Sequence, residues 1–185
     1  SLRLGTIPAA VTNAITKIRT EGIEPGDVRI AGCLSEHGEG TIALALCDAI
    51  QNVWDPTAAE HTILLCDHGT PSRDVHAIRE HLEALVAAQL ELRGLKTTKV
   101  VGCSMERRPE ERYKFNEPML ESCVGGIIPQ TIVSLMFLLP GRHAGEGGDI
   151  ASICKDADVT ITDVIGEHPA IQALLWEQFS QCLTE

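Results

Sequence analysis

Two histidines follow strand-like runs in this chain, and their settings suit shared chemistry. His68 comes after Thr62-Ile-Leu-Leu-Cys66, within Asp67-His68-Gly69-Thr70-Pro71. His143 comes after the apolar run Ile132-Val-Ser-Leu-Met-Phe-Leu-Leu139, within Pro140-Gly141-Arg142-His143. In an open parallel α/β sheet the carboxyl ends of the strands line the ligand crevice. Both imidazoles are therefore expected at one edge, where they could share a metal ion or a substrate. Glu106, in Cys103-Ser-Met-Glu106-Arg107-Arg108-Pro109, follows another strand-like run and is expected to join them. Two neutral imidazoles and a carboxylate suit Co²⁺, Ni²⁺, Fe²⁺ or Zn²⁺. A position left open on the metal would hold water or substrate.

The surrounding charge points to an anionic ligand. Arg107, Arg108, Arg112 and Lys114 cluster beside Glu106, and Arg142 adjoins His143, in a chain of net charge −11. Guanidinium groups take carboxylates and phosphates in bidentate fashion. Each residue also has a plainer reading. A histidine at a turn commonly serves as a structural hydrogen-bonder. Glu106 can pair with Arg107, Arg108 or Arg112, and the arginines can pair with Glu110 and Glu111 on a solvated loop.

For these side chains to meet, alternating strands and helices must carry them. Residues 62–66, 98–103, 131–139 and 159–164 read as strands, each a short run rich in Val, Ile, Leu or Thr. Between and after them lie expected helices over 72–92, 116–123, 149–155 and 169–182. In the first, Val75, Ile78, Leu82, Leu85, Val86 and Leu90 form the apolar side, while Arg79, Glu80 and Glu83 lie elsewhere. Ser72 or Thr70 is its expected cap and Gly94 its end. Pro118 is expected in the first turn of the second helix, and Gly125-Gly126 breaks it. His143 is expected on a flexible Gly-punctuated loop, Gly145 to Gly148. The order implies an α/β fold, a three-layer α/β/α lobe around a mostly parallel four-stranded sheet.

Residues 1–59 are expected to form a partial α/β segment ahead of the lobe at 60–185. Helices are expected over 8–20 and 41–54, with a strand over 28–34. Val28-Arg-Ile-Ala-Gly-Cys-Leu-Ser-Glu36-His37 resembles Val159-Thr-Ile-Thr-Asp-Val-Ile-Gly-Glu167-His168, which reads as a weak internal repeat. On that reading the segment is the tail of a preceding lobe. The chain opens on Ser1, as expected of a piece of a longer protein.

Composition narrows the class. Aromatic residues make up 3% of the chain, so the core must be aliphatic and a base-stacking platform is disfavoured. The acidic balance argues against nucleic acid and anionic membranes as partners. Seven cysteines, an odd count without a CxxC, fit buried inert thiols in a reducing cytoplasm. No signal peptide is expected, and the apolar runs are far shorter than the ~20 residues a membrane span needs. Neither GxxxxGK[ST] nor GxGxxG occurs, so no nucleotide is expected.

Taken together, the motifs over residues 60–185 resemble the class II chelatases, specifically the CbiX-type sirohydrochlorin chelatases. The matching residues are Leu64-Leu65-Cys66-Asp67-His68-Gly69-Thr70, then Glu106 with Pro109, then Phe137-Leu138-Leu139-Pro140-Gly141-Arg142-His143 followed by Asp149-Ile150. The resemblance implies insertion of Co²⁺, or of Fe²⁺ or Ni²⁺, into sirohydrochlorin on routes to cobalamin or sirohaem, without ATP. It implies that His68 and His143 bind the metal and help remove the pyrrole protons, with Glu106 as ligand or base. Arg107, Arg108, Arg112 and Arg142 are expected to hold the substrate's carboxylates. A homodimer or a two-lobe chain is expected to cover the crevice. The chain departs from the family pattern at Thr70, where Ser is usual, at the Gly-rich loop after His143, and at the Arg-Arg-Pro-Glu-Glu-Arg run. A chelatase-fold lobe that binds metal or tetrapyrrole for delivery, without turnover, is the alternative.

Overall fold

The computed structural model describes residues 6–23, 26, 31, 33–35, 38–125 and 130–184. At its centre is strand β1 (His61–Asp67), buried along nearly its whole length. A strand covered on both faces needs apolar side chains on both, hence the unbroken Ile63-Leu64-Leu65-Cys66. β2 (Thr97–Ser104) and β3 (Thr131–Leu135) pair with it in parallel on either side, and β4 (Val159–Ile161) pairs with β3. The sheet order is β2-β1-β3-β4.

Successive strand residues point to opposite faces, so one sheet feeds two cores. Ile63, Leu65 and Ile132 pack with α2 (Glu39–Asn52), α3 (Arg73–Leu92) and α7 (Pro169–Thr184). Leu64, Cys66, Cys103, Val133 and Leu135 pack with α4 (Leu120–Val124) and α6 (Asp149–Cys154). This makes the three layers. α2 buries one face, with Ile42, Ala45, Leu46, Cys47 and Ile50 wholly buried. Polar ties reinforce it: Asp48 meets His168 at 2.9 Å and Arg93 at 2.6 Å, and Glu39 meets His81 at 3.2 Å. The remaining helices are α1 (Thr6–Thr20) and the one-turn α5 (Gly141–Ala144).

The structure corrects several expectations. β3 ends at Leu135, and Phe137–Leu139 leave the sheet, although the Met136 N–H still reaches the Cys66 carbonyl (2.9 Å). β4 ends at Ile161, where the Thr162 hydroxyl takes the Leu135 N–H (3.1 Å) in place of a ladder bond. The helix expected over 116–123 is a 3₁₀ turn, Glu111–Asn116, then an extended step, then α4. The residue before a proline is disfavoured in the α region, and Glu117 before Pro118 is extended accordingly. Ser72 precedes α3 without a side-chain cap bond; its N–H goes to the Thr70 hydroxyl (3.1 Å). Arg79, expected on the polar side of α3, is buried. His143 stands on the helical turn α5 rather than on a flexible loop. The strand expected over 28–34 and the Glu36-His37 limb of the repeat fall largely outside the described residues, as does Gly126.

Cys47, Cys66, Cys103 and Cys154 are buried thiols. Burial pushes the Cys47 thiol up to about 11, far from a reactive thiolate. Among the described residues no helix is long and apolar enough to cross a membrane.

His61 stacks on Trp54 with ring centroids 3.9 Å apart, and burial holds its pKa below the ordinary histidine value. Burial, aided by Arg79, does the same to His76. Both rings are neutral in either state above a pH of about 6.5, so they cost nothing there. Below it the unfolded chain binds protons that the folded chain resists, and stability falls with pH. Thermal melts are expected to drop as pH is lowered from about 7 to about 5.5, and His61→Phe should flatten part of that drop. An unaltered pH slope in the variant would remove His61 from this account.

Candidate functional site

The site grows from one part-buried carboxylate at the end of β1. Asp67 Oδ1 accepts the Gly69 N–H (2.9 Å) and the Ser104 hydroxyl proton (2.6 Å). Arg79 lies 3.6 Å from the same oxygen, and its guanidinium donates to Ser104 Oγ (2.6 Å) and the Asn116 carbonyl (3.2 Å). The Asn116 side chain, also buried, accepts the Thr70 N–H (2.8 Å) and donates to the Thr70 carbonyl (2.9 Å). Residues 67 to 70 are thus held at both ends. Gly69 adopts φ +89°, and a Cβ there would strike the Glu106 carbonyl. Only glycine lets the two strand-end loops lie this close.

That closeness brings the chemistry together. The His68 and His143 rings meet edge-on, with centroids 4.8 Å apart at 73°. His68 Nε2 lies 3.2 Å from Glu106 Oε1. His68 Nδ1 reaches the Gly69 carbonyl (3.3 Å). Donation there turns the Nε2 lone pair toward the Glu106 carboxylate, an arrangement that a shared proton or a metal cation stabilises. His143 Nδ1 lies 2.7 Å from Asp149 Oδ2, at the start of α6. A ring that donates Nδ1–H to a carboxylate presents Nε2 as acceptor or ligand. Among the described residues, no three of His, Cys, Asp and Glu are set as a metal cage as they stand. The three sequence candidates meet through His68, which contacts both of the others.

The four candidate arginines do not converge. Arg107 and Arg108 line a cleft of about 300 Å³ together with His68 and Glu106. Arg107 also pairs with Glu117 at 3.1 Å. Arg112 lies outside that lining, 3.8 Å from Glu110 and over the Tyr113 ring. Arg142 is mostly exposed and sits 3.5 Å from the carboxylate that holds His143. A second cleft, about 500 Å³, is lined by Glu146, Asp163, Glu167 and His168 among others.

Sequence reasoning missed Asp149 as the partner of His143, and missed Arg79, Ser104 and Asn116 beneath His68. Asp149 offered a signal, since it opens a helix one short loop after His143. Ser104 and Asn116 offered none, because their roles depend on how the loops fold back.

No protein-family model matches this chain, and no curated protein matches it in sequence. Solved structures do share its architecture. SirB from Bacillus subtilis with Fe³⁺ superposes with a TM-score of 0.61 at 14% identity, over 95% of this chain and 64% of that one. The sirohydrochlorin chelatase SirB from Bacillus subtilis subspecies spizizenii, in complex with cobalt, gives 0.58 at 14% identity, over 95% and 61%. The chain spans less than two thirds of the length of these structures. Its fold is that of the class II chelatases.

Removing Arg79 tests the foundation of the site. Arg79→Met should destabilise the chain by about 3 kcal/mol, because it leaves a part-buried carboxylate without its counter-charge. Urea unfolding reads the loss, and hydrogen exchange should show faster Gly69 and Thr70 amides. An unshifted midpoint with protected amides would show that the turn stands without the arginine.

Proposed function

We propose that this chain inserts a divalent metal ion into sirohydrochlorin, with Co²⁺ the first candidate and Fe²⁺ and Ni²⁺ the others. The observation that carries the reading is the facing pair His68 and His143 at the carboxyl edge of a chelatase-fold sheet. The metal is the substrate here, and no nucleotide is needed.

The residues divide the work. Metallation exchanges two pyrrole N–H protons for one M²⁺, so the site must bind a cation and accept protons. His143 suits both tasks, because Asp149 orients Nδ1–H and steadies an imidazolium when Nε2 takes a proton. Glu106 and His68 already face each other across a gap that favours a cation. An arriving metal would draw both toward itself and complete an open-sided set of imidazole and carboxylate ligands. Arg107 and Arg108 line the adjoining cleft, where the carboxylates of the macrocycle can lie. Arg112 and Arg142 flank that region and would meet peripheral arms.

We read residues 1–59 as the tail of a preceding lobe, and a second lobe or a second copy as the cover of the crevice. Four buried free thiols fit a cytoplasmic setting. A second reading is metal or tetrapyrrole binding for delivery without turnover, which the same imidazole and carboxylate groups would serve.

Anaerobic mixing with sirohydrochlorin and Co²⁺, followed by absorption, separates the two. Multiple turnovers above the protein-free rate, lost in a folded His143→Ala variant, are expected of the chelatase. Stoichiometric binding without acceleration would leave only the delivery reading, and full activity in His143→Ala would sink the assignment of that residue. Asp149→Asn should weaken Co²⁺ binding about 10-fold or more, read from the visible bands of bound cobalt. Unchanged cobalt affinity would mean that Asp149 does not orient a ligand.

A further inference from the structure

The cleft beside the histidines contains a cation of a different kind from its neighbours. Arg107 pairs with Glu117, Arg112 with Glu110 and Arg142 with Asp149. Among the described residues, Arg108 is the one of the four with no carboxylate in ion-pair range. Its guanidinium instead donates to the hydroxyl oxygen of Tyr113 (3.2 Å) and lies 5.4 Å from the centre of that ring. Arg112 approaches the same ring at 4.8 Å. Tyr113 is itself buried to 7% exposure. The ring therefore gathers positive charge without neutralising it, by its π face and one oxygen acceptor.

Tyr113 is also fixed to the other half of the site. Its backbone carbonyl accepts from Asn116 Nδ2 (3.0 Å), and the same amide nitrogen donates to Thr70, two residues from His68. The phenol that seats Arg108 and the turn that carries His68 share one buried anchor. The separation between guanidinium and imidazole is then a property of the fold rather than of a free side chain.

From this geometry we infer that Tyr113 is a positioning residue that presets Arg108 to receive one carboxylate arm of an anionic ligand lying over the histidine pair. Arg108 supplies the specificity for that arm. The other three arginines are already held by carboxylates of the chain and contribute less. This rests on the chelatase reading for the identity of the ligand, but not for the existence of the anion seat.

Tyr113 is the only tyrosine of the chain, which gives the test a private signal. With ¹³C-labelled tyrosine, titration with citrate and separately with sirohydrochlorin should shift the ring resonances, and Arg108→Gln should abolish the shift. Tyr113→Phe keeps the ring and removes the acceptor. It should raise KM for sirohydrochlorin about fivefold with kcat changed less than twofold, and add little to Arg108→Gln in the double variant. Where no turnover exists, the same comparison is read as sirohydrochlorin Kd. Silent tyrosine resonances, or shifts that persist in Arg108→Gln, would overturn the inference. So would independent, multiplying effects of the two substitutions. Turnover with a silent ring would reject the anion seat and keep the chelatase. A responsive ring with no metal insertion would reject the chelatase and keep the seat.

Discussion

An ion pair between a buried arginine and a part-buried carboxylate, with one hydroxyl between them, governs this site. Asp67, Arg79 and Ser104 come from β1, α3 and β2, and they lock together directly beneath His68. Burying charge is costly, and an apolar trio could fill the same space at no electrostatic cost. What the charged trio adds is direction. Asp67 aims one carboxylate oxygen at the Gly69 amide, and Arg79 ties Asn116, hence Thr70, to the same centre. An aliphatic cluster would hold the strands together but would leave the turn free to choose its conformation. Arg79 Nε has no partner, so even this arginine is not fully satisfied. That residual cost is consistent with a network that fixes a turn rather than one that maximises stability.

The same logic extends outward to the histidines. Each ring has a partner for Nδ1, the Gly69 carbonyl for His68 and the Asp149 carboxylate for His143. The two partners differ in charge, so the two rings are not equivalent. A carboxylate behind an imidazole fixes its tautomer and orientation through a charge-assisted bond, whereas a neutral carbonyl does so more weakly. His68 faces Glu106 with its other nitrogen. Two chemically alike residues are thus held in different ways.

Much of this was legible in the sequence. The strand order of events, the two cores and the meeting of His68, Glu106 and His143 follow from run length, periodicity and the strand-end rule. Strand ends were less legible, because Phe137 and Val164 remain apolar after the ladder stops and serve the second core instead. Arg79 could have been caught. It stands in phase with Val75, Leu82 and Val86 on α3, and a charge on the buried stripe of a helix signals a partner inside. The arginine run divides on folding: Arg107 pairs with Glu117 and Arg112 with Glu110, while Arg108 and Arg112 meet at the Tyr113 ring.

Charge is unevenly distributed over this acidic chain. Long-range attraction is not available to a chain of net charge −11, so recognition must act at short range. Two clefts carry opposite charge. One presents Arg107 and Arg108 next to His68, and the other presents Glu146, Asp163 and Glu167. A polyanion gains on the first side and is repelled on the second. Fourteen percent identity to the SirB structures leaves most side chains changed while the fold persists. What a strand-end site needs from the rest of the chain is small: a glycine where two loops touch, a buried anchor beneath one histidine, and a carboxylate behind the other.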